Sequence, residues 1–208
     1  MLPGTDLTRT MSRSAPTITW HLIDLGHGNI YDDGMHDIVA AFASCGVSPI
    51  VRVAEDQHSM IKRALDSGAH GILVPMIESP GDARMVVEYS KFPPLGKREF
   101  EALLAVDKFV QNGPEEVRNL SGAEYLEQAN DGLVIANVHG IAAVEGINVL
   151  FIGPFHLDVN IGHSIRDPEG YDQELDDAIQ TVLDAGKKAG KAAGNYCDTG
   201  SQGQAYAQ

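Results

Sequence analysis

The sequence predicts a parallel α/β fold built from βα units. Short continuous apolar runs alternate with longer amphipathic stretches along most of the chain. The short runs lack the apolar–polar alternation of a half-exposed sheet, so they suit strands buried on both faces. Strands separated by helices of this length connect as right-handed βαβ units, which makes the sheet parallel. A (β/α) barrel and a doubly wound sheet both satisfy these observations. No Gly-x-Gly-x-x-Gly follows the first strand and no Walker loop is present, which weighs against the nucleotide-binding version of the second.

The elements follow in order. Ile18 to Asp24 reads as a strand. Gly34 to Cys45 has helical spacing, with Met35, Ile38, Val39 and Phe42 on one face. Ser48 to Val53 is the second strand. Ser59 to Ser67 is a helix stopped by Gly68. Gly71 to Met76 is a strand and Pro80 to Ser90 a helix. Lys97 to Leu120 is charged and irregular and is broken by Asn112-Gly113-Pro114, so it reads as a surface excursion containing some helix. Gly132 to Ala136 and Asn148 to Ile152 are strands, and the second runs into Gly153-Pro154, which we expect to open a loop. A helix from about Glu174 to Lys188 and a last strand from Lys191 to Tyr196 complete the pattern. Residues 1–208 are expected to form a single domain, a length sufficient to bury a core.

Composition bounds the function. An apolar fraction of 43% fits a globular protein, and no stretch reaches the roughly 18 apolar residues of a membrane span. Met1 to Asp6 lacks the basic and apolar regions of a signal peptide. Cys45 and Cys197 form no framework and share no metal-ligand spacing, so we expect reduced thiols in a cytoplasmic protein, with Cys45 in the core. A net charge of −14 argues against nucleic acid or an anionic membrane as partner.

In a parallel barrel, chemistry gathers at the C-terminal ends of strands. Asp24 and His27 lie at the end of the first strand, and Arg52 lies at the end of the second. A histidine beside an arginine and an aspartate can move a proton while the arginine holds an anionic oxygen. The same spacing also fits a plain turn capped by Asp24, with Arg52 paired to a neighbouring acid. His156, Asp158 and His163 form a second group, and imidazole with carboxylate can hold a divalent metal. Backbone N–H groups after Gly153-Pro154-Phe155 can cradle a carboxylate, although Pro154 itself donates nothing. His58, His70 and His139 are isolated, and no nucleophile elbow supports a Ser-His-Asp site.

At these residues the chain resembles the HpcH/HpaI aldolase family. The resemblance rests on Leu22-Ile23-Asp24-Leu25-Gly26-His27-Gly28, Pro49-Ile50-Val51-Arg52-Val53, Met60 to Ala69, Leu73-Val74-Pro75-Met76, Tyr125 to Asn130 and Phe151-Ile152-Gly153-Pro154-Phe155. It implies a TIM-type (β/α) barrel assembled as a homo-oligomer, usually a hexamer, acting as a metal-dependent pyruvate aldolase. The implied substrates are a small 2-oxo acid and an aldehyde. The implied metal is divalent (Mg, Mn or Co), polarising the 2-oxo group and stabilising an enolate. By motif, His27 matches the acid/base histidine, Asp24 its supporting carboxylate, and Arg52 the arginine that holds the oxo and enolate oxygens. Gly153, Pro154, Phe155 and His156 match the carboxylate cradle.

The chain departs from the pattern where the metal would bind. The resemblance implies an aspartate ligand at the position of His156. It implies a Gln-Ile-Glu-Thr segment, bearing the other ligand, where Ala136 runs into Asn137-Val138-His139-Gly140. It also implies a glutamate at Gly26 and glycines at Glu99 and Glu101. We therefore expect a barrel incomplete at both ends and missing an internal segment, with weak Mg²⁺ affinity because hard cations want oxygen ligands. Imidazole suits a softer ion such as Zn²⁺ or Co²⁺. Two readings follow: a carbon–carbon lyase of the pyruvate-aldolase class, or a catalytically degenerate or truncated relative that at most binds 2-oxo acids or partner subunits.

Overall fold

The computed structural model describes residues 4–15, 17–99, 125, 129–130, 133–136, 141–162 and 173–206. Six strands form one parallel sheet in the order β1-β2-β3-β4-β5-β6. They are β1 (Trp20–Asp24), β2 (Ser48–Arg52), β3 (Gly71–Val74), β4 (Leu133–Ala136), β5 (Val149–Ile152) and β6 (Ala192–Asn195). The helices are α1 (Thr5–Ser14), α2 (Asp32–Ala43), α3 (His58–Asp66), α4 (Pro80–Ser90), α5 (Pro154–Asn160), α6 (Gln173–Lys188) and α7 (Gly200–Tyr206).

The strand order decides between the two architectures left open by the sequence. A doubly wound sheet reverses its order at a switch point, which places helices on both faces. Here the order is strictly sequential, and right-handed crossovers then put every helix on the same face. The other face faces across the sheet's own interior, as in a TIM-type barrel.

Side chains confirm the two layers. Ile23, Val51, Ile72, Val74, Val134, Leu150 and Ile152 point outward into the main core beneath the helices. There they meet Met35, Ile38, Val39 and Phe42 of α2, Ile61, Ala64 and Leu65 of α3, and Ala83 and Val86 of α4. In α6, Leu175, Ile179 and Val182 are buried, one stripe of a 3.6-residue period. The inward face is smaller: Ile50 and Leu73, with Leu22, Val149 and Phe151 packed on them. Outward and inward residues alternate along each strand, as the pleat requires.

The ends of α4 and α6 are well specified. Ser79 accepts from the Asp82 N–H while Asp82 accepts from the Ser79 N–H, and Pro80 opens the helix. In α6, Glu174 and Asp176 lie in the first turn and Lys187 and Lys188 in the last, matching the helix dipole. Near the end of α3, Arg98 is buried against Asp66, with Nη2–Oδ1 at 2.7 Å, and its guanidinium lies over the Phe92 ring at 4.4 Å. This polar knot ties the segment after α4 to α3.

Four expectations are corrected or bounded. Gly153-Pro154 opens the helix α5, not a loop, because Gly153 caps it and Pro154 takes its first position, where a missing N–H costs nothing. Two helices escaped the sequence reading: α1, whose buried residues are only Thr8 and Ser12, and α7, Gly-Ser-Gln-Gly-Gln-Ala-Tyr, which has no apolar stripe. The third strand ends at Val74, because Pro75 follows and Met76 adopts a left-handed φ of 54°. Residues 100–124 of the expected surface excursion, and the 137–140 stretch where an internal segment was expected to be missing, lie outside the described residues.

Cys45 and Cys197 are both free, and Cys45 packs against the main core. Among the described residues no helix is long and apolar enough to cross a membrane.

Two histidines make the fold pH-sensitive. Burial lowers the pKa of His21, which stacks on Phe42 with ring centroids at 4.6 Å, and of His70, whose Nδ1 lies 3.1 Å from Ser48 Oγ. A folded-state pKa below the unfolded one means the unfolded chain binds protons first as pH falls. Their contribution to stability is therefore complete above the unfolded value of about 6.5 and is lost as pH drops from there toward the folded values. Thermal melts through this range will show a falling Tm, with a shallower slope in His70→Asn than in the wild type. An equal slope in the two proteins would remove His70 from the account.

Candidate functional site

The register of the first two strands sets the site. Asp24 pairs with Arg52 across β1 and β2, so both side chains emerge on the inward face at the C-terminal end of the sheet. Asp24 is buried, at 5% exposure. Its Oδ1 accepts from the Gly26 N–H at 2.9 Å and the His27 N–H at 3.0 Å. Arg52 Nε lies 2.9 Å from the same oxygen, but its N–H is not aligned on it, so the contact is an ion pair and not a directed hydrogen bond. For Asp24 the geometry is that of the capped turn: it caps the turn, it neutralises Arg52, and in doing both it places His27.

Glycine is required in that turn. A Cβ on Gly28 would lie 2.2 Å from the Asp24 carbonyl oxygen, a contact that only backbone movement could relieve. A Cβ on Gly26 would lie 3.1 Å from Arg52 Nη2, so the bare backbone there lets the guanidinium approach. Backbone bonds carry the sheet ladder up to the mouth: Leu25 N–H donates to Arg52 O, Val53 N–H to Leu73 O, and Tyr196 N–H to Ile152 O.

Above these strand ends lies a cavity of about 420 Å³. Asp24, Gly26, His27 and Arg52 line one side, with Ala54, Leu73, Pro75 and Met76 beside them. Phe151, Gly153, Pro154, Phe155, His156 and Tyr196 line the other. The rings of His27 and His156 are nearly parallel, at 13°, with centroids 6.1 Å apart. Phe155 and His156 belong to the first turn of α5, whose first internal bond is the Leu157 N–H to Gly153 O. Their own N–H groups therefore have no carbonyl within the helix to meet.

The structure thus brings together Asp24, His27, Arg52, Gly153, Pro154, Phe155 and His156. It does not bring in Asp158, which sits half-buried on α5 away from the cavity lining. His58 packs against Tyr89 with the rings tilted at 54° and centroids 4.8 Å apart, and His70 lies beside Ser48; neither lines the cavity. His139 and His163 lie outside the described residues. Sequence reasoning missed Met76 and Tyr196 as cavity residues. Tyr196 immediately follows β6, and its place at the end of an expected strand was the signal that could have found it.

A family model described as HpcH/HpaI aldolase/citrate lyase matches residues 19–201. The chain belongs to this family. It is 34% identical to a 2-dehydro-3,6-dideoxy-6-sulfogluconate aldolase of Pseudomonas putida, over 96% of this chain and 83% of that protein. It is 32% identical to a 2-keto-3-deoxy-L-rhamnonate aldolase of Salmonella gallinarum, over 84% of this chain but 65% of that protein, just under two thirds of the relative's length. Among solved structures, an HpcH/HpaI aldolase/citrate lyase family protein of Burkholderia cenocepacia J2315 superposes with a TM-score of 0.79 at 28% identity, covering 98% of this chain and 80% of that one.

Membership in the HpcH/HpaI family raises the question of a divalent metal. Among the described residues no three His, Cys, Asp or Glu side chains come together as a ligand set. The one buried carboxylate at the mouth, Asp24, already holds Arg52 and two N–H groups on one oxygen. His156 offers imidazole where an oxygen ligand is expected, and β4 ends in Ala136, which has no donor atom. These residues do not fit a hard, oxygen-ligated cation such as Mg²⁺.

The turn geometry makes a direct prediction. Asp24→Asn keeps an oxygen for the two N–H groups but leaves the Arg52 guanidinium without its countercharge. The expected cost is about 1–3 kcal/mol, read as a lower Tm in thermal denaturation. Gly28→Ala must displace the turn outright and will lower Tm at least as far. Wild-type melting in both variants would show that the turn is not built on these contacts.

Proposed function

We propose that this chain is a carbon–carbon lyase of the pyruvate-aldolase class, acting on a 2-oxo acid that binds at the Asp24–His27–Arg52 mouth. The observation that carries the reading is the Arg52 guanidinium, held by a buried carboxylate beside an exposed imidazole at the C-terminal end of the sheet. The names of the relatives, aldolases both, support the reaction class.

The residues can divide the work as follows. Arg52 binds the C2 oxygen of the oxo acid and the negative charge that grows on it. The first-turn N–H groups of Phe155 and His156 meet the substrate carboxylate. His27 accepts the proton of the C4 hydroxyl as the C3–C4 bond breaks. The electron pair of that bond passes to C3 as the enolate, the aldehyde leaves, and C3 takes up a proton to give pyruvate. Asp24 touches none of these atoms; it positions His27 and Arg52.

His156 and Ala136 favour a second reading for the rate. A hard metal would add Lewis-acid stabilisation to the enolate, and the described residues bring no three-ligand set together for one. Losing stabilisation of this kind costs on the order of 10²–10³-fold in rate. The proposal is therefore a site that keeps oxo-acid binding and turns over slowly. The same reading carries a homo-oligomer, of hexamer type, in a cytoplasmic setting, acting on a small 2-oxo acid and an aldehyde with no nucleic acid partner.

A coupled pyruvate-release assay on 4-hydroxy-2-oxo acids, with Mg²⁺, Mn²⁺ or Co²⁺ added, tests the rate. Slow cleavage is expected, and His156→Asp alone will not restore it because β4 still ends in alanine. Turnover comparable to the related aldolases would overturn the slow-site reading and leave the lyase reading standing. Calorimetric titration with Mg²⁺ tests the ligand set: weak or no binding is expected, and a micromolar dissociation constant would show that other oxygen ligands complete the site.

A further inference from the structure

We propose that the cavity beyond Arg52 is an apolar subsite that selects 2-oxo acids whose far end is aryl or alkyl over those whose far end is polyhydroxylated; this rests on the reading of the mouth as a 2-oxo-acid site. The charged pair Asp24–Arg52 belongs to β1 and β2, with His27 just after them. Beside it stand Leu73, paired with Arg52 in the β2–β3 register, and Pro75 and Met76 just after β3; Phe151, Phe155 and Tyr196 come from β5, α5 and the end of β6.

Three large side chains of apolar body that this fold leaves exposed meet at this cavity. Met76, Phe155 and Tyr196 are 52%, 51% and 50% exposed, and all three line this one cavity. Apolar surface left in water is a standing cost that a ligand of matching chemistry removes. Met76 is moreover held at a φ of 54°, a left-handed conformation that an L residue with a long side chain rarely adopts. The backbone thus spends conformational energy to present that side chain at the mouth.

Polyhydroxylated chains need the opposite wall. Each hydroxyl taken from water without a partner is penalised. Among the described lining residues, Asp24 Oδ1 already accepts two N–H bonds and pairs with Arg52, and the other polar side chains are Arg52 itself, two imidazoles and the Tyr196 hydroxyl. Arg52 and His27 are engaged by the oxo-acid end itself. A volume of about 420 Å³ lies within the range of small-ligand pockets and accommodates an oxo acid with a ring-sized substituent.

The test is calorimetric titration of the wild-type protein with three ligands: pyruvate, 2-oxo-4-phenylbutanoate and a 2-oxo-3-deoxyhexonate. The phenyl compound lacks a 4-hydroxyl and so cannot be cleaved. Burial of its ring is expected to tighten binding on the order of ten- to a hundredfold relative to pyruvate, while the hexonate binds no tighter than pyruvate. Met76→Ser and Tyr196→Ser are each expected to shrink the phenyl-to-pyruvate affinity ratio by at least about threefold. No binding of pyruvate, and no displacement of one ligand by another, would bring down the oxo-acid reading itself. Pyruvate binding with a phenyl-to-pyruvate ratio near one, or a hexonate preferred over the phenyl compound, would overturn the apolar subsite alone. A high ratio that neither variant changes would also overturn it, because the ring would then lie somewhere else.

Discussion

One oxygen atom organises the mouth of this sheet. Asp24 Oδ1 has the Gly26 N–H, the His27 N–H and the Arg52 guanidinium within 3.0 Å. Burying a carboxylate costs several kcal/mol unless charge and hydrogen bonds offset it, and here both do. The two N–H contacts are a short loop's own backbone groups, so satisfying Asp24 and folding the turn are the same event. The turn closes only because Gly28 lets the chain pass over the Asp24 carbonyl. His27 inherits its place from that closure, and Arg52 inherits its place from the β1–β2 register. Three residues from two elements therefore reach one location without any of them contacting the others through flexible side-chain reach alone.

The sequential strand order makes that location a site. With every crossover on one face, the helices cover the outside, and the inward face receives only side chains from the strands. Lower down, that face is filled by Leu22, Ile50, Leu73, Val149 and Phe151. Two residues further along β1 and β2 the inward positions become Asp24 and Arg52, so the packed layer gives way to a charged one. Past β3 and β6 the inward positions become Pro75, Met76 and Tyr196, which remain apolar or amphipathic. The polarity of the cavity is thus a direct readout of what each strand carries just beyond its last ladder bond.

The elements that the sequence revealed are those whose stability comes from apolar periodicity. Helices α2, α3, α4 and α6 each bury a stripe, and β1, β2, β3 and β5 are short apolar runs ended by Gly, Pro or a charge. Helix α1 was invisible because its inward face is Thr8 and Ser12, with the Ser12 hydroxyl bonded back to the Thr8 carbonyl. Helix α5 was misread because Gly-Pro marks a loop when the next residues are polar and a helix start when Pro takes the first helical position. At the site, Asp24, His27 and Arg52 were legible because strand ends are where a parallel sheet exposes polar groups. Met76 was not, because a left-handed methionine leaves no trace in composition or period. Tyr196 was counted into its strand; its N–H makes the last bond to β5, at Ile152 O, and its side chain lines the mouth.

His156 changes the electrostatics of the mouth more than its chemistry alone suggests. A carboxylate at this position would put a negative charge in the first turn of α5, beside the positive end of that helix and across the cavity from Arg52. Imidazole carries no negative charge in either protonation state, so Arg52 and the α5 amides meet no competing anion from position 156. An anionic oxo acid then finds a mouth whose positive groups are less compensated, which favours its binding. The same substitution removes the hard oxygen that a divalent cation would need. One residue thus pushes ligand binding and metal binding in opposite directions. On the proposed reading, affinity for the oxo acid and turnover of the aldol can therefore separate, because the first draws on Arg52 and the second also on a cation for which the described residues assemble no ligand set.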